Sequence, residues 1–559
     1  MNWKKTLLLI VVLGIVLLGA GYGGYKGYRH IRQVSLIKQA KAYLEKSEER
    51  KALLCLQRAL NINNRDVEAA RLMAQIAEAT RSPAALIWRS RVVEISPKST
   101  DDRLILARTA LVFRDISAAT NALEGIDEPG KKTAEYHNIA GAVAAAANQT
   151  TEAISHFTEA SRLNPGELAP KLNLAMVRLQ STNIQSLAEA RSALKMISAN
   201  PTNSSMRCQA LRELASDALR NKQNNDALTF TKDLLQETNS AFRDKILRLE
   251  VLQESRSSEY RSTLAAFQRE AAASPASIGE LAVWQMANTT PAEVLLWLQG
   301  LPLNSQTNAP ANMLIAECQT SLKQWPQLYA AITNQDWGTM DFMRRAYLAR
   351  SQRERDMPTP AKAQWELALK AANSQKGSLI MLLRTAASWK WLNEAEEILW
   401  TIVNRYPEEK WAVQSLSQAL YAGGRTRPLM MLFNQELKRS PGNLPVKNNL
   451  AVAALLLDAR ELKPHEMARD IYQASPTNST FASTYAFSLY TQSKYPEALK
   501  IMQALPQKDL ESPAIAGYYG LILSATGDKL KARPYLDWAF KAQLLPEERK
   551  LFEKAKAGI

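Results

Sequence analysis

Hydrophobic positions along this chain fall into two regimes. From Thr6 to Tyr25, twenty residues pass without a charge. At about 1.5 Å per residue, a helix of that length is about 30 Å long, the thickness of a bilayer's hydrocarbon core. After that run, apolar residues recur every three or four positions, the period of helices that bury one face. Residues 134–167, AEYHNIAGAVAAAANQTTEAISHFTEASRLNPGE, show this best. Ile139, Ala140, Val143, Ala144 and Ala147 share one helical face, and Ala153, Ile154, Phe157 and Ala160 share another. The polar NQTT between them predicts a turn. Asn164-Pro165 predicts the end of the second helix, because a residue before proline is pushed out of the helical region.

The pattern repeats at about 34 residues. Residues 33–66 place Ala40, Tyr43, Ala52, Leu56 and Ala59 in equivalent positions, and residues 513–546 place Gly520, Gly527, Ala532, Leu536 and Ala539 there. Weaker copies contain Ala74, Ala85 and Pro97, then Ala395, Leu399 and Pro407, then Ala486, Ala498 and Met502. Two further units open on Asn173-Leu174-Ala175 and Asn449-Leu450-Ala451. These units resemble the tetratricopeptide repeat (TPR). The resemblance makes Gly141, Ala153, Phe157, Ala160 and Pro165, and later Gly520, Ala532, Leu536 and Ala539, the residues that pack the repeat. Small side chains let the paired helices approach, and the large one fills the space between them. The resemblance implies an all-α solenoid of roughly fifteen stacked helical hairpins.

The expected organisation is therefore a membrane anchor with a basic and aromatic collar at 1–32, TPR solenoid at 33–239, divergent helical repeats at 240–375, and TPR solenoid with a C-terminal capping helix at 376–559. The divergent part departs from the motif but keeps a helical rhythm, with Trp284 and Trp297 expected between helices.

The first thirty residues decide location. Tyr22, Tyr25 and Tyr28 fall where amphipathic rings favour a membrane–water interface, and Lys26, Arg29 and Arg32 fall where they reach headgroup phosphates. A dinucleotide-binding loop is excluded, since no strand precedes the glycines of GAGYGGYKGYRHIRQ and no βαβ unit follows. A cleaved signal peptide would end near Gly19-Ala20-Gly21. The apolar run continues past that point, so an uncleaved anchor is expected. Gly19, Gly23 and Gly27 form GxxxG pairs that would permit a homodimer. A short N-terminus with Lys4 and Lys5 favours export of the body to the periplasmic side of an inner membrane, against the pull of the basic collar.

Composition narrows the chemistry. Net charge is +16, but acidic and basic residues interleave, so a solvated surface is expected rather than a nucleic-acid stripe. A binding module for anionic polymer or lipid is the alternative reading of that charge. The three cysteines, Cys55, Cys208 and Cys318, are far apart and form no CxxC. Of the four histidines, His465 opens HEMAR, which has Arg469 where a zinc-protease signature needs a second histidine. No phosphate loop, nucleophile elbow or catalytic triad is present. The chain is expected to be no enzyme and to carry no cofactor or metal. Trp389, Trp391, Trp400 and Trp411 read as core rather than as a recognition surface.

In the TPR family the first helix of each hairpin lines a concave groove that takes peptides or partner helices. The resemblance assigns Asn138 and Ala142, Asn448 and Val452, and Phe487 and Tyr490 to that face. It implies a membrane-anchored scaffold similar to the TPR proteins of bacterial envelope assembly, secretion and export systems. One such type ends in a cysteine-rich metal module, which this sequence does not show.

Overall fold

A computed structural model describes residues 27–559. Among these the chain is helical throughout, without strands. It divides into two compact units, Met1–Asn288 and Thr289–Ile559. The division falls inside the segment read as divergent repeats.

In the first unit, a helix over 27–45 pairs with Glu49–Ile62, Val67–Ala79 with Ala84–Ile95, and Thr100–Val112 with Ile116–Glu124. The pairs Ala134–Ala146 with Thr150–Leu163, Leu168–Arg178 with Ile184–Ser198, and Ser204–Arg220 with Asn224–Gln236 follow. In the second unit the repeating part runs from Ala311–Ser321 with Trp325–Ile332 to Pro513–Ala525 with Lys529–Ala539, and Pro546–Ala557 closes it.

One backbone device marks nearly every hairpin. The first helix ends on a residue in the left-handed region: Ser47, Arg81, Arg114 and Asn148 early in the first unit, and Lys323, Asp356, Lys390, Gly424, Asp458, Ser493 and Gly527 in the second. Within each run these positions lie 33 to 35 residues apart. The next amide then bonds a carbonyl five residues back, as Gln149 N does to Ala144 O at 2.8 Å and Arg425 N to Leu420 O at 2.9 Å. This is the Schellman arrangement, which satisfies carbonyls left open at a helix end. Lys323 and Asp356 lie in the segment without the side-chain motif, so the repeat continues there at unchanged pitch.

Inside the hairpins small residues set the spacing. Ala153, Phe157 and Ala160 are buried, and a Cβ on Gly141 would come within 2.8 Å of the Phe157 ring. Gly520 sits equally close to Leu536, with Ala532, Leu536 and Ala539 all buried. Pro165 is exposed just beyond the helix that Asn164 caps. Between hairpins, carboxylates and guanidinium groups pair across first helices, as Asp102 does with Arg71 at 2.6 Å. Burial pushes the Asp102 carboxyl up, but hydrogen bonds from Arg71 and Ser99 bring it below the ordinary value.

No helix among the described residues is long and apolar enough to cross a membrane. The run Thr6–Tyr25, with Tyr22, Tyr25, Gly19 and Gly23, lies outside those residues, as does Lys26. Of the expected collar, Tyr28 is exposed on the 27–45 helix. Arg29 donates to the carbonyl of Ile62 at 2.5 Å, which ties it to the following helix. A Cβ on Gly27 would meet nothing within 4 Å.

Candidate partner-binding cavity

The second unit holds a cavity of about 600 Å³ walled by the first helices of four successive hairpins. Lys410–Ala422 contributes Ser417, Gln418 and Tyr421, and Leu444–Leu456 contributes Asn448, Asn449 and Val452. Ser479–Thr491 contributes Thr480, Ser483 and Thr484, and Pro513–Ala525 contributes Ile515 and Tyr518. Local sequence sets each wall. Asn443 caps the Asn448 helix by accepting from Val446 N at 3.1 Å, and Asn478 caps the next by accepting from Thr480 N and Phe481 N.

The C-terminal cap completes the enclosure. Tyr421 Oη donates to the carbonyl of Gln543 at 2.9 Å, and Gln543 Nε2 donates to the carbonyl of Ala422 at 3.0 Å. Thr426 donates to Glu547 beside them. Gly424, at φ 64°, takes the left-handed turn, and a Cβ there would lie 3.1 Å from Pro546 Cγ. Leu545 is buried in the same apolar cluster as Leu429 and Phe433. Residues about 120 apart in sequence thus meet across the cavity.

Apolar surface makes up most of the lining, and the polar groups within it are mostly satisfied. Glu548, 7 % exposed, accepts from Tyr518 Oη at 2.5 Å and from Leu545 N at 2.8 Å. Burial holds its carboxyl above the usual carboxylate range. Burial and the adjacent Glu548 hold the Tyr518 phenol well above its ordinary value, and burial pushes Tyr421 up to about 12. Asn448 is the exception. It is 2 % exposed, its Nδ2 reaches Asn449 Oδ1 only at 3.4 Å, and its Oδ1 has no partner. A buried acceptor left open costs about 1–3 kcal/mol, so this wall is built at a cost in stability.

The expected groove residues separate. Asn448 and Val452 line the cavity. Phe487 does not: it is 1 % exposed, with its ring centroid 4.7 Å from that of Tyr518. The correction has a packing cause. Phe487 fills an apolar cluster with Leu536 and Phe552, behind the cavity wall. Tyr490 is half-buried against Phe487 and Tyr495. In the first unit Asn138 Oδ1 accepts from Asn173 Nδ2 at 3.0 Å, so its carbonyl is satisfied by the next hairpin. Ala142 packs beside Phe157. Sequence reading missed Tyr421, Ser483, Thr484 and Glu548. The run of small hydroxyl residues in STFASTYAFSLYT was the available sign, since polar residues on an otherwise apolar helix need a reason to be there.

Other candidate groups have internal partners. Arg350 lies 5.5 Å from the ring centroids of Trp325 and Trp391 and 5.8 Å from that of Trp389, and Arg353 lies 3.6 Å from Trp391. The tryptophan faces thus hold the chain's own cations. Trp400 is half-buried and Trp411 partly exposed. His137 and His156 meet at 2.9 Å between their Nδ1 atoms. Burial first, then the neighbouring His156, lowers the His137 pKa. Among the described residues no three potential ligands gather around a common point.

No family model matches the chain, and no curated protein matches it. Similar helical chains occur among solved structures. One, from a functional characterization of Pseudomonas aeruginosa pilF, is 14% identical, with a TM-score of 0.31 over 40% of this chain and 99% of that one. The APC/C hetero-tetramer Cut9–Hcn1 is 14% identical, with a TM-score of 0.28 over 82% and 96%. The P58(IPK) TPR domain is 13% identical, with a TM-score of 0.22 over 94% and 98%. These scores fall short of a shared overall arrangement, so the TPR-like fold of this chain rests on its own hairpins, their 33-to-35-residue pitch and their small-residue packing.

Proposed function

We propose that this chain is a membrane-anchored scaffold that holds a protein partner by a peptide segment seated in the cavity of its second unit. The observation that carries the reading is the cavity's wall: first helices of consecutive hairpins, among whose lining residues buried Asn448 leaves its Oδ1 without a partner. A peptide brings the backbone donors such a wall requires and side chains for the apolar patches at Leu429, Phe433 and Ile515. The uncharged run Thr6–Tyr25 supplies the anchor and its lipid contact, and the glycines from Gly19 to Gly27 permit its pairing with a second copy. An envelope assembly, secretion or export system is the setting that suits an anchored array of this kind, with the body on the periplasmic side.

A reporter active only in the periplasm, fused after Ile559, is expected to give signal from a protein that stays in the membrane fraction. Polypeptides retained by the detergent-extracted full chain are expected to be lost in Val452→Arg, which places a charge in the cavity wall. They should persist in Leu530→Arg, whose site is 90 % exposed on a second helix. Signal only from a cytoplasmic reporter would overturn the location. Equal retention by both variants would overturn the cavity as the partner's seat.

A further inference from the structure

We infer that the cavity seats the protonated amino terminus of a peptide chain. The inference rests on the cavity being the partner's seat and names the group it recognises.

Charge is the first argument. The chain carries +16 overall, yet no lysine, arginine or histidine lines this cavity. Its only carboxylate is Glu548, buried at the base of the cap. A ligand entering here meets one buried carboxylate and no cation.

Hydrogen-bonding capacity is the second. Asn448 Oδ1 is a buried acceptor with no donor. Glu548 uses each oxygen once, toward Tyr518 and Leu545. A carboxylate has about four lone-pair sites, so it can accept again. An ammonium group offers three N–H donors and one positive charge. A carboxyl terminus would offer acceptors alone and a charge of the same sign as Glu548. The amino end therefore fits where the carboxyl end is repelled.

Enclosure is the third. The links from Tyr421 and Ala422 to Gln543, and from Thr426 to Glu547, close one side of the cavity. Its volume lies within the range of about 300–1,000 Å³ typical of small-ligand sites. A chain end enters such a space without requiring that both flanking segments leave it.

The test uses the detergent-purified full chain and three sets of random tetrapeptides: tethered by the carboxyl end with a free α-amine, the same set N-acetylated, and a set tethered by the amino end with a free carboxylate. Binding is expected in the first set and at least tenfold weaker in the acetylated twins. Glu548→Gln keeps one acceptor for Leu545 N, turns an amide N–H toward Tyr518 Oη, which then accepts, and removes the charge; it is expected to weaken binding at least tenfold. Gln418→Lys, on the exposed rim, places a cation in the cavity without touching the cap, and is expected to do the same. Equal binding of free and acetylated peptides would overturn the inference and leave the peptide seat standing. So would binding that follows internal lysine regardless of acetylation. Preference for the free-carboxylate set would overturn it outright, and binding of no set would overturn the seat as well.

Discussion

Replacing Arg212 with Met is expected to destabilise the first unit by about 3–5 kcal/mol, the range for stripping one partner from a buried ion pair. Asp244 is 0 % exposed and accepts from Arg212 Nε at 2.6 Å and Nη2 at 2.9 Å. The pair joins the helix Ser204–Arg220 to Phe242–Glu254 in the next hairpin. Asp244 also accepts from Ala241 N at 2.8 Å, which alone cannot balance a buried charge. Methionine keeps much of the arginine stem and removes the cation. Urea unfolding followed by helical circular dichroism at pH 7 reads the loss. Stability equal to the parent at pH 7 would show that the pair does not couple these hairpins. Arg212→Met with Asp244→Leu should recover most of the loss, because no charge is then left buried.

Gly520→Val is expected to cost about 3 kcal/mol, at the upper end for overpacking a filled core. A Cβ at this position would lie 2.8 Å from Leu536 Cγ and 3.0 Å from both Ala532 O and Leu536 N. Two of those atoms are backbone, so relief requires the helices Pro513–Ala525 and Lys529–Ala539 to separate. The first of these carries Ile515 and Tyr518 into the cavity, so the variant should also lose peptide capture. A thermal melt and a binding measurement on the same sample check both. An unchanged melt would mean that the small-residue contact is not what sets the helix spacing.

How much of this was legible in sequence depends on the range of the interaction. The hairpin at 134–163 could be read because its determinants are local: apolar positions three and four apart, a polar turn, and small residues where helices touch. The Asn-Leu-Ala triplet at 449–451 fixes the register that puts Asn448 and Val452 on a first-helix face, and both line the cavity. The repeat through the middle was harder. Its side chains depart from the motif there, and the turns at Lys323 and Asp356, like those at Arg81 and Asn148, carry no glycine to mark them. Phe487 shows a different limit. Register put it on a first-helix face, but Tyr518 from the following hairpin covers it. The meeting of Tyr421 with Gln543 was not legible at all. It depends on the curvature accumulated over several hairpins, a sum of small rotations that no single motif encodes. The vacant acceptor on Asn448 belongs to that same level, since Asn138, with the same side chain on an equivalent helix face, is satisfied by Asn173.

The most direct test of the account is a photo-crosslinking amino acid placed at position 418 or position 530 of the full chain in living cells. Gln418 borders the cavity, and Leu530 is exposed on a second helix of the same unit. Ultraviolet light is expected to join a discrete partner polypeptide to the chain from position 418 and not from position 530. Adducts from position 530 alone, equal adducts from both, or none from position 418 would contradict the cavity as the place where this scaffold holds its partner.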